Sequence, residues 1–163
     1  MEIRFAIGKN ETKHLDTDGL REHFLVQDLF ISGQLKLVYS HHDRVIIGGV
    51  MPAADQVVLS NPAELRAGYF LERRELGIIN LGGNGSVSAD GVEYPLQKLE
   101  CLYLGKGVNE VSFRSTDPVQ PAKFYLLSAP AHQSYPTVKY TREDASPVGL
   151  GDASTSNKRT VYK

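Results

Sequence analysis

The sequence contains little cysteine, no excess of either charge and no long apolar run. Cys101 is the only cysteine among 163 residues, which excludes an internal disulfide and a cysteine-rich metal site. The 18 basic and 19 acidic side chains leave a formal net charge of -1, so no strong field attracts nucleic acid or an anionic membrane. No segment approaches the roughly 20 apolar residues that cross a bilayer, and the start lacks the apolar stretch of a secretion signal. We therefore expect a cytoplasmic protein without nucleic-acid or membrane partners.

Short strand-like segments separated by turns make up most of the chain. Val45 to Val50 is an apolar run closed by Pro52, which cannot donate to a sheet ladder. Asp90-Gly91 lies between strand-like residues and is typical of a tight hairpin turn. Helix-capping residues from Asp16 onward predict one short helix near residues 18–25. The pattern predicts a mainly β sandwich or barrel, and the length suits one domain.

The amino-acid composition of the sequence changes after Pro130. Residues 131–163 are rich in Ser, Thr, Asp, Pro and Gly and have few apolar periods. We therefore predict a barrel over residues 1–130 and an extended arm or linker over residues 131–163. Such an arm is expected to lead to a further domain.

Residues 68–114 have the spacing of a metal-binding cupin, a small barrel in which a His-x-His, a Glu and a later His hold one divalent metal. Three glycine positions mark the frame: Gly82, Gly105 and Gly107. Tyr69 and Leu71 occupy the two His positions and Glu110 the last one, so only Glu75 remains as a ligand. Leucine cannot replace imidazole as a metal ligand. The segment therefore predicts a cupin-like double-stranded β-barrel, or jelly roll, with no bound metal or other cofactor.

Six stretches, in order along the chain, carry a more specific resemblance. They are Leu15 to Arg21, Tyr39 to Arg44, Tyr69 to Gly77, Leu102 to Gly107, Ala129 to His132 and Thr155 to Thr160. Together they closely resemble the amino-terminal half of the 5-keto-4-deoxyuronate isomerase family, the 4-deoxy-L-threo-5-hexosulose-uronate ketol-isomerases of bacterial pectin degradation. A match in order over nearly the whole chain is far more specific than a single motif.

The resemblance implies a hexameric two-cupin isomerase of uronate metabolism whose second barrel holds zinc through three His and a Glu. Those ligands would lie beyond Lys163. The implied reaction moves a carbonyl between neighbouring carbons of a deoxy uronate, which needs an acid or base and an electropositive group. The resemblance thus implies that this half acts as scaffold and oligomer contact beside a second cupin domain, and that it is inactive alone.

Four residues are candidates for a pocket in this half: Glu75, Glu110, Tyr69 and His41. Glu75 and Glu110 could share a proton across the barrel mouth, which would raise one pKa. The alternative is that each faces solvent or pairs with a neighbouring Arg or Lys. His41-His42-Asp43 could be a metal or proton-relay cluster, but adjacent strand residues point to opposite faces, which favours a turn or subunit contact.

Two other interpretations remain open from the sequence. The chain could be a free-standing cupin that binds a sugar acid without catalysis. It could also be a single-domain metalloenzyme with an unusual ligand set of His41, Glu75, Glu110 and His132. The glycines near residues 82–85 and 105–107 fit no phosphate-loop pattern, and we interpret them as barrel turns that need a positive φ.

Overall fold

The computed structural model describes residues 1–162, and strands dominate it. The two helices are α1 (Lys9–Thr12) and α2 (Thr17–Phe24). The strands are β1 (Glu2–Arg4), β2 (Leu35–Ser40), β3 (Val45–Val50), β4 (Val57–Val58), β5 (Arg74–Asn80), β6 (Gly85–Ala89), β7 (Val92–Leu96), β8 (Cys101–Leu104), β9 (Val111–Ser115), β10 (Phe124–Pro130), β11 (Val138–Tyr140), β12 (Pro147–Leu150) and β13 (Arg159–Tyr162).

Two sheets enclose the core. The larger has seven strands in the order β1-β2-β3-β10-β5-β8-β11, and the smaller has four in the order β4-β9-β6-β7. All pairings are antiparallel except that of β1 with β2. Neighbours such as β3 and β10 are far apart in the chain, as in a jelly roll rather than a simple meander. The predicted cupin-like barrel is confirmed.

The inner faces of the two sheets follow from the alternation of side chains along each strand. In β5, buried residues alternate with half-buried ones from Arg74 to Asn80, so Leu76 and Ile78 point inward. Across the core, Phe113 of β9 packs against Phe124 of β10 with ring centroids 5.5 Å apart. This contact joins the two sheets through fully buried aromatic rings.

Two local predictions agree with the structure. Helix α2 begins after Asp16, whose carboxylate accepts a hydrogen bond from the Gly19 amide at 2.8 Å. Asp90 and Gly91 form the two-residue turn between β6 and β7, with φ values of 49° and 81°. Both φ values are positive, as the predicted hairpin turn requires.

The glycine prediction is right at one position and wrong at others. Gly107 has φ of 106°, as expected for a turn. Gly82 and Gly105 have no positive φ; instead, another part of the backbone lies against each of them. A Cβ on Gly82 would lie 2.5 Å from the carbonyl oxygen of Pro121, and one on Gly105 would collide with that of Tyr135. These glycines permit close packing of the backbone rather than a special turn.

The arm adds strands that the sequence did not predict. Val138–Tyr140 pairs with β8 and becomes an edge of the large sheet, and β12 and β13 form a separate hairpin. The pairing hydrogen bonds are between backbones, so they need no apolar periodicity in the arm. The predicted boundary at residue 130 stays a prediction, and Lys163 lies outside the described residues. No helix within residues 1–162 has the length and apolar character to span a membrane.

Candidate functional site

A cavity of about 340 Å³ lies at one end of the barrel. It lies where β2 ends, β5 begins and β10 ends, so the sheet brings residues far apart in sequence to one place. The residues with polar side chains that line it are Tyr39, His41, Arg44, Glu64, Arg73 and Arg74. The volume is at the lower end of the range for small-ligand pockets, roughly 300 to 1,000 Å³.

Arg74 lines this cavity and is almost completely buried, with 8% of its surface exposed. Its Nε donates to the Ser128 hydroxyl at 3.0 Å. Its Nη2 donates to the carbonyl oxygens of Ser128 and Arg44 at 2.9 and 2.8 Å. Arg74 is the first residue of β5, and Ser128 lies on the adjacent strand β10, two residues before Pro130, which is the register partner of Arg74. The guanidinium is thus held in one orientation by hydrogen bonds on two of its three nitrogens.

The charge of Arg74 is not neutralised by the residues around it. None of the ion pairs within residues 1–162 includes Arg74. Its guanidinium carbon lies 5.8 Å from the centre of the Tyr39 ring, close enough for a cation–π contact. Burial lowers the pKa of Arg74, Tyr39 raises it, and the neighbouring Arg44 lowers it. Arginine nevertheless stays protonated, so the cavity contains a buried cation.

The rim of the cavity carries further positive charge. Arg44 and Arg73 are both exposed, and neither forms an ion pair with another described residue. The His41 ring stacks on Phe5 at 4.9 Å and meets the edge of Tyr39 at 5.0 Å. Glu64 is the one acidic residue in the lining, and its carboxylate lies 3.9 Å from the amino group of Met1. The lining is therefore strongly cationic.

Of the four predicted pocket residues, the structure places only His41 at this cavity. Tyr69 lies in the turn before β5 and is not part of the lining. Glu75 follows Arg74 in the strand and points to the outer face, where it accepts a hydrogen bond from the Tyr103 hydroxyl at 2.8 Å. Glu110 is exposed beside β9, on the smaller sheet.

Several geometric predictions are therefore corrected. Glu75 and Glu110 do not face each other across the barrel mouth, so they form no proton-sharing pair there. Neither pairs with an Arg or Lys among the described residues. The segment of His41 and His42 forms the turn between β2 and β3, as the alternative expected. The two rings have different aromatic neighbours: the His41 ring stacks on Phe5, and the His42 ring lies 5.6 Å from that of Phe24. Whether Glu75, Glu110, Tyr69 or His41 touches a substrate stays a prediction.

The donor set does not suit a metal ion. Within residues 1–162, no three His, Cys, Asp or Glu side chains group closely enough to hold one. Leu71, at a His position of the cupin frame, is 1% exposed and belongs to the apolar core. His132 is exposed in the arm. The alternative ligand set of His41, Glu75, Glu110 and His132 is thus not assembled by the fold.

The sequence reasoning missed Arg74, although a signal was available. Arg74, Leu76 and Ile78 alternate, and the two apolar members are expected to face the core. Arg74 shares their face and Glu75 does not. The cupin spacing pointed to Glu75 as the candidate ligand. Adjacent strand residues face opposite sides of a sheet, so the inward-facing side chain is that of Arg74, one position earlier.

The outer face of the large sheet carries a second feature, an apolar groove of about 370 Å³. Its lining includes Ile79, Tyr125, Leu127 and Tyr140, with the Glu75–Tyr103 hydrogen bond at one side. Leu127 is 46% and Tyr140 55% exposed. Cys101 also lines the groove, where burial, and to a lesser extent Glu100, raises the pKa of the thiol. A raised thiol pKa argues against a nucleophilic role.

Comparison with known proteins agrees with this fold. An IolB-like protein from Salmonella typhimurium LT2 superposes with a TM-score of 0.55 at 17% identity, over 72% of this chain and 43% of that one. This likeness concerns the fold alone.

Two sequence relatives match over the whole chain. A 4-deoxy-L-threo-5-hexosulose-uronate ketol-isomerase of Escherichia coli (strain SMS-3-5 / SECEC) is 49% identical, and one of Paraburkholderia phytofirmans is 51% identical. In both cases the alignment covers 100% of this chain but 59% of the relative, so the chain spans little more than half their length. The family model of KduI/IolB proteins matches residues 24–163. This chain therefore belongs to the KduI/IolB family.

Proposed function

We propose that this chain is the amino-terminal half of a 4-deoxy-5-keto-uronate ketol-isomerase of pectin and galacturonate catabolism. The supporting observation is the identity of 49 to 51% to isomerases of that name over the whole chain. The parent enzyme is an intramolecular oxidoreductase that acts on a small deoxy uronate in the cytoplasm. In this proposal, its zinc belongs to a second cupin domain outside this chain.

Within that enzyme, this half acts as scaffold and oligomer contact in a hexamer. The apolar groove on the outer face of the large sheet supports this role. Leu127 and Tyr140 are exposed there with few polar neighbours, and apolar surface of this kind favours contact with another folded surface. We assign the second cupin domain of a neighbouring subunit as the surface that covers the groove, since the relatives are longer than the region this chain matches.

The direct test compares this chain with a version extended through the second barrel, for isomerase activity on the deoxy uronate and for zinc content. We expect only the longer chain to have both. A fragment that is active without zinc would contradict the proposal.

The contact role is tested in the extended protein by Leu127→Glu, which places a charge in the groove. We expect reduced assembly by light scattering and reduced activity. Val119→Glu is the matched control, because Val119 is 85% exposed in a loop that does not line the groove. Equal assembly of the two variants would show that the groove is not the contact.

A further inference from the structure

The cavity at the barrel end has the features of a site for an anion. Its lining includes the buried Arg74, and a buried cation without a carboxylate partner is energetically unfavourable unless something else neutralises it. The hydrogen bonds to Ser128 and Arg44 are made by Nε and Nη2. Nη1 therefore remains available to a ligand. No buried side-chain nitrogen or oxygen within residues 1–162 lacks a partner, so Nη1 is accessible to solvent rather than sealed in the core, and Arg74 lines the cavity.

The surroundings strengthen the attraction for an anion. Arg44 and Arg73 at the rim add two positive charges, and the only acidic side chain in the lining, Glu64, is near the amino group of Met1. The Arg44 carbonyl and the Ser128 side chain fix Arg74 in place before any ligand binds. A cation held in this way loses little entropy on binding.

The size and charge of the cavity narrow the class of ligand. Nε and Nη2 of Arg74 are already hydrogen-bonded, so the buried guanidinium offers a ligand one nitrogen, Nη1, which suits the two oxygens of a carboxylate better than the three of a phosphate group. The cavity volume of about 340 Å³ leaves room for a short organic chain beyond that group. The His41 imidazole and the Tyr39 ring, which contact each other, can bind hydroxyl groups and carbon faces of such a chain.

We propose that this cavity binds the carboxylate of a small hydroxy acid, with Arg74 as the anion-binding residue and Arg44 and Arg73 at the entrance. The site is separate from the zinc chemistry assigned to the second domain. It concerns binding by this barrel alone, and it can be correct or wrong independently of the isomerase activity of the parent enzyme.

Isothermal titration calorimetry of the 163-residue chain tests this with three probes: D-galacturonate, neutral D-galactose and inorganic phosphate. We expect saturable binding of galacturonate and none of galactose. Absence of saturable heat with galacturonate, or equal binding of galactose, would overturn the proposal. Tighter binding of phosphate would overturn the assignment to carboxylates.

Substitutions of the arginines test which residues bind the anion. Arg74→Met keeps an unbranched apolar stem and removes the guanidinium charge, and we expect a loss of affinity of at least about tenfold, as for a charge-assisted hydrogen bond. Arg44→Gln retains the backbone carbonyl that Arg74 uses, and it should weaken binding about two- to fivefold, as for an exposed charge. Arg114→Gln is the control, because Arg114 is exposed on β9 of the other sheet.

Circular dichroism checks that each variant is folded. If Arg74→Met does not fold, the double variant of Arg44→Gln and Arg73→Gln decides, since both side chains are exposed. Wild-type affinity in that double variant, or in a folded Arg74→Met, would show that the arginines do not form the site.

Discussion

The Tyr103 hydroxyl donates a hydrogen bond of 2.8 Å to the Glu75 carboxylate on the outer face of the large sheet. The two residues lie on the paired strands β5 and β8. Burial is the main reason that the pKa of Tyr103 is raised to about 12, and the hydrogen bond and charge of Glu75 raise it further. Glu75 therefore has a tyrosine hydroxyl as its hydrogen-bond partner, not the second carboxylate, Arg or Lys that the sequence suggested.

The first prediction concerns this pair. Glu75→Gln removes the negative charge beside Tyr103, so the pKa of Tyr103 should fall from about 12 but stay above the ordinary value of about 10, because burial remains. An NMR titration of isotope-labelled tyrosine rings measures the pKa of Tyr103. Glu93→Gln, on the smaller sheet, should leave it unchanged. An unchanged pKa in Glu75→Gln would show that the two groups do not interact.

The same pKa has a consequence for stability. Because the folded pKa lies above the unfolded value, the stabilising contribution of Tyr103 is complete below about pH 10 and is lost as the pH rises toward about 12. Glu75→Gln should therefore reduce the loss of unfolding free energy in this range, measured by urea denaturation.

Glu100 should give the opposite pH dependence, with a stabilising contribution that is lost toward acid pH. It is 7% exposed, and its carboxylate accepts from the Gln97 amide at 2.7 Å and the Lys139 ammonium at 3.0 Å. Burial acts to raise the pKa of Glu100, but the bonds from Gln97 and Lys139 outweigh it and hold the pKa below its ordinary value. The stabilising contribution should therefore be present above about pH 4.3 and decline as the pH falls below it.

Urea denaturation between neutral and acid pH tests this. Glu100→Gln should flatten the acid dependence of the free energy of unfolding. Glu143→Gln, at an exposed position, should not change it. A wild-type acid profile in Glu100→Gln would contradict the assignment.

Ser128 is expected to stabilise the barrel through Arg74. Ser128→Ala leaves the Nε of Arg74 without its acceptor, which should lower the free energy of unfolding by about 1.5 to 3 kcal/mol. Ser112→Ala, on a half-buried position of β9, should change it by less than about 0.5 kcal/mol. Equal unfolding midpoints for the two variants would show that the hydrogen bond contributes nothing.

Gly105 should tolerate no side chain. Gly105→Ala drives a Cβ into the carbonyl oxygen of Tyr135, so we expect a loss of about 1 to 3 kcal/mol in unfolding free energy. Gly149→Ala is the matched control, because its Cβ would meet nothing within 4 Å. A neutral Gly105→Ala would mean that residues near Tyr135 shift aside freely.

Local chemistry made some features predictable. The cap at Asp16 and the turn at Asp90-Gly91 depend on neighbouring residues, and both agree with the structure. The alternation with Leu76 and Ile78 indicates the inward direction of Arg74, whereas its neighbours on β10 and the pairing of Val138–Tyr140 with β8 depend on register and long-range contact. Spacing alone does not determine these, because a shift of one residue reverses the face of every side chain in a strand.

The two edge strands of the large sheet are β1, near the amino terminus, and β11, in the arm. Both segments are only three residues long. Unpaired strand borders are templates for self-association, and short strands protect against it. A chain shortened before Val138 would leave β8 uncovered and should form aggregates that grow strand by strand, so the polar arm also protects the protein's solubility.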